Sequence, residues 1–294
     1  MRIFLTGGTG FIGKFVVQKL DDKKNQLLVL SRNPKPSIYS KNVSFIKGDL
    51  NNLKKWASDL EKFKPDATVH LAWEGIPNFG VQTSRQNLKV SVALVKFLTK
   101  IGCQTILATG TLWEYGNKIG KLLEGMKLDP FNPFTRAKVS LYLTSKEITK
   151  KKNINFIWLR LFYVYGPGQK SSSLIPYLIS CAKAKKKPEV RNPDAQNDFI
   201  YVEDVAEAIK QVLYKYKKSG IFNIGSGKVT NVQYILKKVL SQFKLKQNYQ
   251  RVTPKQIDKF AASFADISKI KKEVGWKPKV TIDEGIKKTI KSTI

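Results

Sequence analysis

Apolar residues come in short runs separated by amphipathic stretches through about the first 165 residues. Runs at Ile3–Leu5, Leu27–Leu30, Val43–Ile46, Thr68–Leu71, Thr105–Ala108 and Phe156–Leu161 predict six strands. Leu88, Val92, Val95 and Leu98 recur at helical spacing within a helix expected over Ser84–Ile101. A second long helix is expected from Pro133 to about Lys151. Strands alternating with helices predict a parallel sheet covered on both faces, with ligands beyond the carboxyl ends of its strands.

After Tyr165-Gly-Pro-Gly168 the rhythm changes. Pro176, Pro188 and Pro193 interrupt short apolar pieces, and Trp276-Lys-Pro278 lies in a helical tail. Short strands are expected at Phe199–Val202 and Ile221–Ile224, with a helix Val205–Tyr216 between them. Neither repeats nor a low-complexity linker divide the chain, so two packed lobes are expected. Residues 1–166 would form the larger one, joined by returning strands near 199–224, and residues 167–294 most of the smaller one.

The first strand runs directly into Gly7-x-x-Gly10-x-x-Gly13, and an amphipathic helix carrying Phe15, Val16, Val17 and Leu20 follows. Gly7 allows the tight turn off the strand, and Gly10 removes a side chain where a pyrophosphate must approach the backbone. Gly13 lets the helix pack close to the sheet, and the helix N-terminus turns free N–H groups and partial positive charge toward phosphate. A glycine triplet placed between a strand and a helix is far more specific than the triplet alone. The expected class is α/β, a Rossmann-type doubly wound parallel sheet with a smaller, mixed C-terminal substrate lobe.

Composition narrows the chemistry. An apolar share of 42% in 294 residues supports a sizeable core. No apolar run approaches membrane-spanning length, and the first strand begins too early for a signal peptide, so a cytoplasmic protein is expected. Cys103 and Cys181 lie far apart, which fits reduced thiols at or near the core. The single histidine, His70, excludes a multi-histidine zinc site, and no metal site is expected. Its place in the apolar segment Ala67–Ala72 favours a structural role over a catalytic one.

The net charge of +31 suggests nucleic acid, but only seven of the 53 basic residues are arginine. Readers of bases and phosphates favour the bidentate arginine fork. The lysines are spread along the chain, and clusters such as Lys185-Lys186-Lys187 lack interleaved aromatics. A lysine-biased surface is therefore expected, without a specific nucleic-acid partner.

Several further blocks occur in a fixed order: Gly48-Asp49-Leu50, His70-Leu-Ala72, Thr111 with Tyr115-Gly116, Lys138, Arg160–Pro167, Asp198–Asp204, Asn223–Gly227 and Gly275–Pro278. With Thr6–Gly13 they span nearly the whole chain, which resembles the extended short-chain dehydrogenase/reductase family acting on nucleotide-diphosphate sugars. The resemblance implies that Thr9, Phe11 and Ile12 join the three glycines around the dinucleotide. Asp49 and Leu50 would hold its adenine, Leu71, Ala72 and Thr109 would line its path, and Lys138 would bind the nicotinamide ribose. Thr111 would hydrogen-bond the reacting sugar oxygen, with Trp113 also on the substrate, and the smaller lobe would hold the nucleotide diphosphate. A homodimer through the helices at Ser84–Ile101 and Phe134–Lys151 would also follow.

Three positions depart from the family pattern. The second strand ends in Ser31-Arg32 where a carboxylate would bind the adenosine ribose diol. A hydroxyl and a guanidinium there favour NADP over NAD, because the arginine can pair with a 2′-phosphate. The family's Tyr-x-x-x-Lys is here Phe134-Thr-Arg-Ala-Lys138, with both side chains on one helix face. In the family the phenol passes a proton to or from a sugar oxygen. Phe134 lacks the oxygen, and the loss of such a group costs roughly 10²- to 10⁴-fold in rate. Phe134 is either a Tyr→Phe change of the kind that traps a bound substrate or the natural residue, with Thr111, Tyr163 or a water in the phenol's place. Finally, Tyr163 stands where many members have Asn, and Asn197 where many have the Arg that meets the substrate diphosphate. Arg191 or Lys228 are the available replacements.

These residues imply an NADP-dependent nucleotide-sugar oxidoreductase, foremost a 4-keto-6-deoxy sugar reductase. Dehydratases of the family carry an Asp-Glu pair where this chain has Leu112-Trp113, which argues against dehydration. A 4-epimerase holding NAD(P) tightly and a non-catalytic NADP-binding sensor or scaffold are the alternatives.

Overall fold

The computed structural model describes residues 1–34, 39–246, 248–252 and 262–293. The chain opens with β1 (Arg2–Thr6), α1 (Phe11–Leu20), β2 (Gln26–Ser31) and β3 (Val43–Lys47). A 3-10 segment at Leu50–Lys55 leads to α2 (Ala57–Phe63), β4 (Ala67–His70), α3 (Val81–Lys100) and β5 (Thr105–Thr111). A 3-10 turn at Leu112–Tyr115 precedes β6 (Gly120–Leu122), α4 (Pro133–Lys150), β7 (Asn155–Leu161) and β8 (Tyr163–Tyr165). Then follow α5 (Leu174–Lys183), β9 (Glu189–Val190), β10 (Gln196–Asn197), β11 (Phe199–Tyr201), α6 (Val202–Lys215) and β12 (Gly220–Ile224). The described chain ends with β13 (Thr230–Asn231), α7 (Val232–Gln242), β14 (Gln250–Arg251), β15 (Ser263–Ala265), α8 (Ser268–Val274) and α9 (Ile282–Lys291).

Seven strands form one parallel sheet in the order β12-β7-β5-β4-β1-β2-β3. The order reverses between β1 and β4, which opens a crevice at the carboxyl ends beside the glycine loop. One core layer packs Val16, Val17 and Leu20 of α1 against the sheet, together with Val205, Ile209 and Val212 of α6. The other face is covered by α3 and α4, where Leu94, Leu98 and Leu141 meet Ile106, Phe156 and Trp158. Burying each such aliphatic side chain contributes roughly 1.5–3 kcal/mol, so both helix layers are anchored by their apolar stripes.

The returning strands differ from expectation. Only β12 joins the large sheet, while β11 pairs with β8 in a separate two-stranded ribbon. The strand expected to run through Val202 stops at Tyr201, because α6 starts there. Glu203 and Asp204 occupy the first turn of α6, where the helix dipole favours carboxylates. The core under α1 also draws on α6, Ile270 and Trp276, so residues on both sides of position 166 share it. A third core, built from α5, α7 and α9, belongs to the smaller lobe. Among the described residues no helix is long and apolar enough to cross a membrane.

Candidate active site

A cavity of about 1580 Å³ runs along the carboxyl ends of the sheet. Single-ligand pockets span about 300–1,000 Å³, so this cavity has room for two ligands end to end. Gly7, Thr9, Gly10, Phe11, Ile12, Gly13, Ser31, Arg32, Asp49, Leu50, Leu71, Ala72, Thr109 and Lys138 all line it. So do Thr111, Trp113, Phe134 and Tyr163. Arg191 and Asn197 do not. Arg191 is exposed, and Asn197 lies on β10, which pairs with β13 and β15 in the small sheet. The exposed Lys228 is absent from the wall as well, so the expected substitutes for the diphosphate-binding arginine do not converge on the cavity.

At the glycine loop, Gly7 has φ +72°, and the Gly10 N–H donates to the Gly7 carbonyl at 3.0 Å. A Cβ on Gly13 would lie 1.9 Å from the Gly7 oxygen, so α1 packs on the loop only because position 13 is bare. A Cβ on Gly10 would meet only that oxygen, at 3.2 Å, and its other surroundings are open. Gly10 is the N-cap of α1, with no side-chain cap and no acidic residue in the first turn. The N–H groups of that turn therefore remain available to an anion. This bare, uncapped cradle fits the pyrophosphate of a dinucleotide.

At the outer end, Arg32 extends from β2 with 67% of its side chain exposed. It pairs with Glu74 from the loop after β4, and its Nη1 lies 3.9 Å from Asp49 Oδ2. The other oxygen of Asp49 accepts from the Asn51 backbone and side chain, both at 2.7 Å. Glu74 is held in turn by Asn87, whose Oδ1 accepts the Glu74 N–H at 2.8 Å.

At the inner end, Phe134 is buried in an aromatic cluster with ring centroids 5.0 Å from Phe79, 5.6 Å from Trp73 and 6.2 Å from Trp113. One helical turn later, the buried Lys138 donates to the Thr109 carbonyl at 2.8 Å. Its Nζ also sits 3.9 Å from the centroid of Trp73. Burial pushes the Lys138 ammonium down to about 7, while the negative charge of Glu114 works in the opposite direction. The Thr111 hydroxyl accepts from the Trp113 N–H at 3.3 Å, which leaves its own hydrogen to donate. The indole N–H of Trp113 donates to the Tyr163 hydroxyl at 3.3 Å, linking the turn after β5 to the strand that crosses between lobes.

Beneath Thr111 lies a buried polar network. Glu114 accepts from Arg160 Nε at 2.8 Å, from Trp158 Nε1 at 3.1 Å and from the Thr111 N–H at 2.9 Å. Arg160 also donates to the Tyr115 hydroxyl at 3.0 Å, and Tyr115 donates to Asn223 at 2.6 Å. His70 is buried with Nδ1 2.6 Å from Thr6 Oγ1 and Nε2 2.9 Å from Ser91 Oγ. Burial, reinforced by Lys138, pushes it down to about 3, so it is a neutral clamp between β1, β4 and α3.

The sequence motif at this strand ends at Ala72, yet Trp73, Glu74 and Phe79 beyond it also line the cavity. Their place directly after a strand's carboxyl end was the available clue. Lys170, which no motif marks, donates to the Ile76 carbonyl and so ties the smaller lobe to that loop. Besides Lys138, the cations on the cavity wall among the described residues are Arg32, Arg85, Lys89 and Lys170.

A sequence model for the NAD dependent epimerase/dehydratase family matches residues 3–225. The chain belongs to that family. Among relatives, it is 26% identical over 312 residues to the Escherichia coli dTDP-4-dehydro-6-deoxyglucose reductase, covering 99% of this chain and 96% of the relative. It is 25% identical over 313 residues to the mouse dTDP-D-glucose 4,6-dehydratase, covering 98% and 87%. In fold it is similar to the UDP-glucose 4-epimerase of Thermotoga maritima with UDP-glucose, at TM-score 0.90 and 24% identity over 100% of this chain and 98% of that one. The dTDP-glucose 4,6-dehydratase of Bacillus anthracis in complex with NAD superposes at TM-score 0.88 and 24% identity, covering 100% and 96%. Family members of this kind are nicotinamide-dependent enzymes that modify nucleotide sugars, as reductases, epimerases or dehydratases.

Proposed function

We propose that this family member reduces a 4-keto-6-deoxy sugar carried on a nucleotide diphosphate, in the cytoplasm, with NADP as its preferred coenzyme. One observation carries the reading: a single cavity joins the uncapped glycine cradle at one end to Thr111, Phe134 and Lys138 at the other, and continues past Tyr163 to Ser172 and Ser173 of the second lobe. Bound there, the reduced nicotinamide would supply the hydride. The turn N–H groups of α1 would hold the pyrophosphate, with Thr9, Phe11 and Ile12 around it. Asp49 and Leu50 would flank the adenine, and Ser31 and Arg32 would meet a 2′-phosphate. Leu71, Ala72 and Thr109 would line the dinucleotide's path, and Lys138 would hold the nicotinamide ribose. The Thr111 hydroxyl would donate to the keto oxygen, with Trp113 and Tyr163 against the sugar. Relatives matched along nearly the full length include the E. coli reductase, so reduction lies within the family's range of reactions.

A homodimer through α3 and α4 accompanies this reading, and the 51% exposed Leu143 on α4 offers it an apolar contact. Sedimentation would give twice the monomer mass.

The test offers stereospecifically deuterated NADPH with a panel of UDP-, dTDP-, CDP- and GDP-linked keto sugars. Deuterium on a sugar carbon with stoichiometric coenzyme oxidation supports the reductase. An epimerised sugar without net coenzyme oxidation would reassign the chain as an epimerase. Dinucleotide binding without any sugar-nucleotide chemistry would leave a binding protein.

A further inference from the structure

The reduction proposed above needs a proton at the sugar oxygen, and position 134 has none to give. Phe134 is also held away from that task by packing, with its ring wedged among Trp73, Phe79 and Trp113. His70 is committed to Thr6 and Ser91 through both ring nitrogens, below the cavity floor. The Tyr163 phenol accepts the Trp113 indole N–H and keeps its own proton, but it stands on β8 and not on the helix face that carries Phe134 and Lys138. Thr111 can orient a carbonyl by donating its hydrogen, but an alcohol is far too weak an acid to end the step as an alkoxide.

Lys138 is different. It lies one helical turn from Phe134 on the same face of α4, and it lines the same cavity as Thr111. Of its three N–H groups, the Thr109 carbonyl takes one, at 2.8 Å, and no other hydrogen-bond acceptor among the described residues is within reach. The Trp73 face, 3.9 Å away, holds the ammonium in place without accepting its proton. Thr109 and Thr111 are two residues apart on β5, so their side chains point to the same side of the strand.

Resting on the reductase reading, we propose that Lys138 is the proton donor. One ammonium N–H bond breaks as an O–H bond forms on the former keto oxygen. The carbonyl carbon would take the hydride that a bound reduced nicotinamide dinucleotide supplies, and the neutral amine left on Lys138 is reprotonated from solvent. The surroundings suit that role. Burial brings the ammonium down to about 7, so it can release its proton near neutrality. The titratable groups that act on it are Glu114, from the turn after β5, which favours the charged form, and His70, from β4, which is neutral there. In this chain the lysine would thus do the work that a phenol at 134 would do, at the same mouth of the cavity.

The experiment uses the full chain, Lys138→Arg, Phe134→Tyr and the double variant. Arginine keeps the charge and the donors for a ribose but does not release a proton. In the coenzyme-free protein, the side-chain ¹⁵N resonance that disappears in Lys138→Arg is expected to titrate near 7. Turnover of the parent is expected to fall about tenfold per pH unit above that midpoint, because the donor must be protonated. Lys138→Arg should bind NADPH within about fivefold of the parent yet lose roughly 100-fold or more in kcat. In the Phe134→Tyr background the same change should cost less than about tenfold, because the phenol then supplies the proton. A midpoint close to that of an ordinary lysine, or a Lys138→Arg kcat within about threefold of the parent, overturns the proposal. Activity in Phe134→Tyr but none in the parent also overturns it, while leaving the reductase reading intact. If neither chain turns over any keto-sugar nucleotide, the reading itself fails and the proposal falls with it.

Discussion

Arg32 at the end of β2 and Glu74 after β4 form an ion pair across the outer mouth of the cavity, with Asp49 Oδ2 3.9 Å from the same guanidinium. The cation that would pair with a 2′-phosphate is thus already matched by carboxylates. An incoming phosphate must displace Glu74 from Arg32, whereas a ribose diol can accept from Arg32 and donate to Glu74. Coenzyme choice is therefore a contest between two named residues. Arg32→Ala should weaken NADPH roughly 10- to 100-fold, the value of a charged hydrogen bond, and change NADH less than about threefold. Glu74→Gln should tighten NADPH by about two- to fivefold, since an exposed ion pair is worth at most about 1 kcal/mol. Titrations of protein fluorescence give both numbers. A parent chain that binds NADH more tightly than NADPH would sink the preference for NADP.

Gly10 and Gly13 should behave differently when given a methyl group. In the free protein a Cβ on Gly10 would meet the Gly7 oxygen at 3.2 Å, a tight contact that this oxygen must relieve by a few tenths of an ångström, so Gly10→Ala should lose less stability than Gly13→Ala. It should nevertheless lose at least about tenfold in dinucleotide affinity, because the methyl group occupies the pyrophosphate's approach. A Cβ on Gly13 would be 1.9 Å from a backbone oxygen, so Gly13→Ala must shift α1 off the loop. Its melting temperature should drop along with its binding. Equal destabilisation by the two substitutions would show that the loop is closed on Gly10 as tightly as on Gly13.

The parts of this site that local sequence could disclose are those made by neighbours in the chain. The strand, glycine loop and helix at 2–20 were legible because each residue's role is set within a few positions. Phe134 and Lys138 were legible as a pair because helix geometry alone puts them on one face. His70 was legible as structural because an apolar strand surrounds it. Glu74 was not, since its partner Arg32 lies 42 residues earlier and the loop between β4 and α3 has no periodicity. Nothing in the sequence around Glu114 marks its burial, which depends on Arg160, 46 residues later. Arg191 and Asn197 lie off the cavity wall. Asn197 is placed by β10 pairing with β13 and β15, which no local pattern records.

His70 gives the acid limb of stability a specific shape. Its folded form is held neutral down to about 3, while in the unfolded chain it protonates near 6.5. Between those values the unfolded state binds the extra proton, so stability falls as pH falls from about 6.5 toward 3. The steepest contribution is about 1.4 kcal/mol per pH unit. Above 6.5 the contribution is complete and flat. Replacing the ring with a non-titrating amide, His70→Asn, should lower stability at pH 7.5 by breaking the contacts to Thr6 and Ser91. The gap to the parent should then narrow as pH drops to 5 and 4. Urea midpoints at the three pH values measure this, and a gap that stays constant would mean the histidine is not the group being titrated.

The Glu114–Arg160 pair fixes the turn that presents Thr111 and Trp113 to the cavity. Glu114 accepts the Thr111 N–H at 2.9 Å while bound to Arg160 Nε at 2.8 Å, and both side chains are buried. Removing one partner from a buried pair strands the other charge, at a cost of roughly 3–5 kcal/mol. Arg160→Met should therefore destabilise the chain by about that amount. The double variant Arg160→Met/Glu114→Gln should recover at least about 1 kcal/mol of it, because the stranded carboxylate is gone while an oxygen remains for Thr111. Denaturant titrations of the four corners of this cycle give the coupling directly. The same cycle read in kcat should show Glu114→Gln as the milder single change, since it keeps the acceptor that holds Thr111 in place. A purely additive cycle would mean that Arg160 supports the turn through Tyr115, 3.0 Å from its Nη1, and not through the carboxylate.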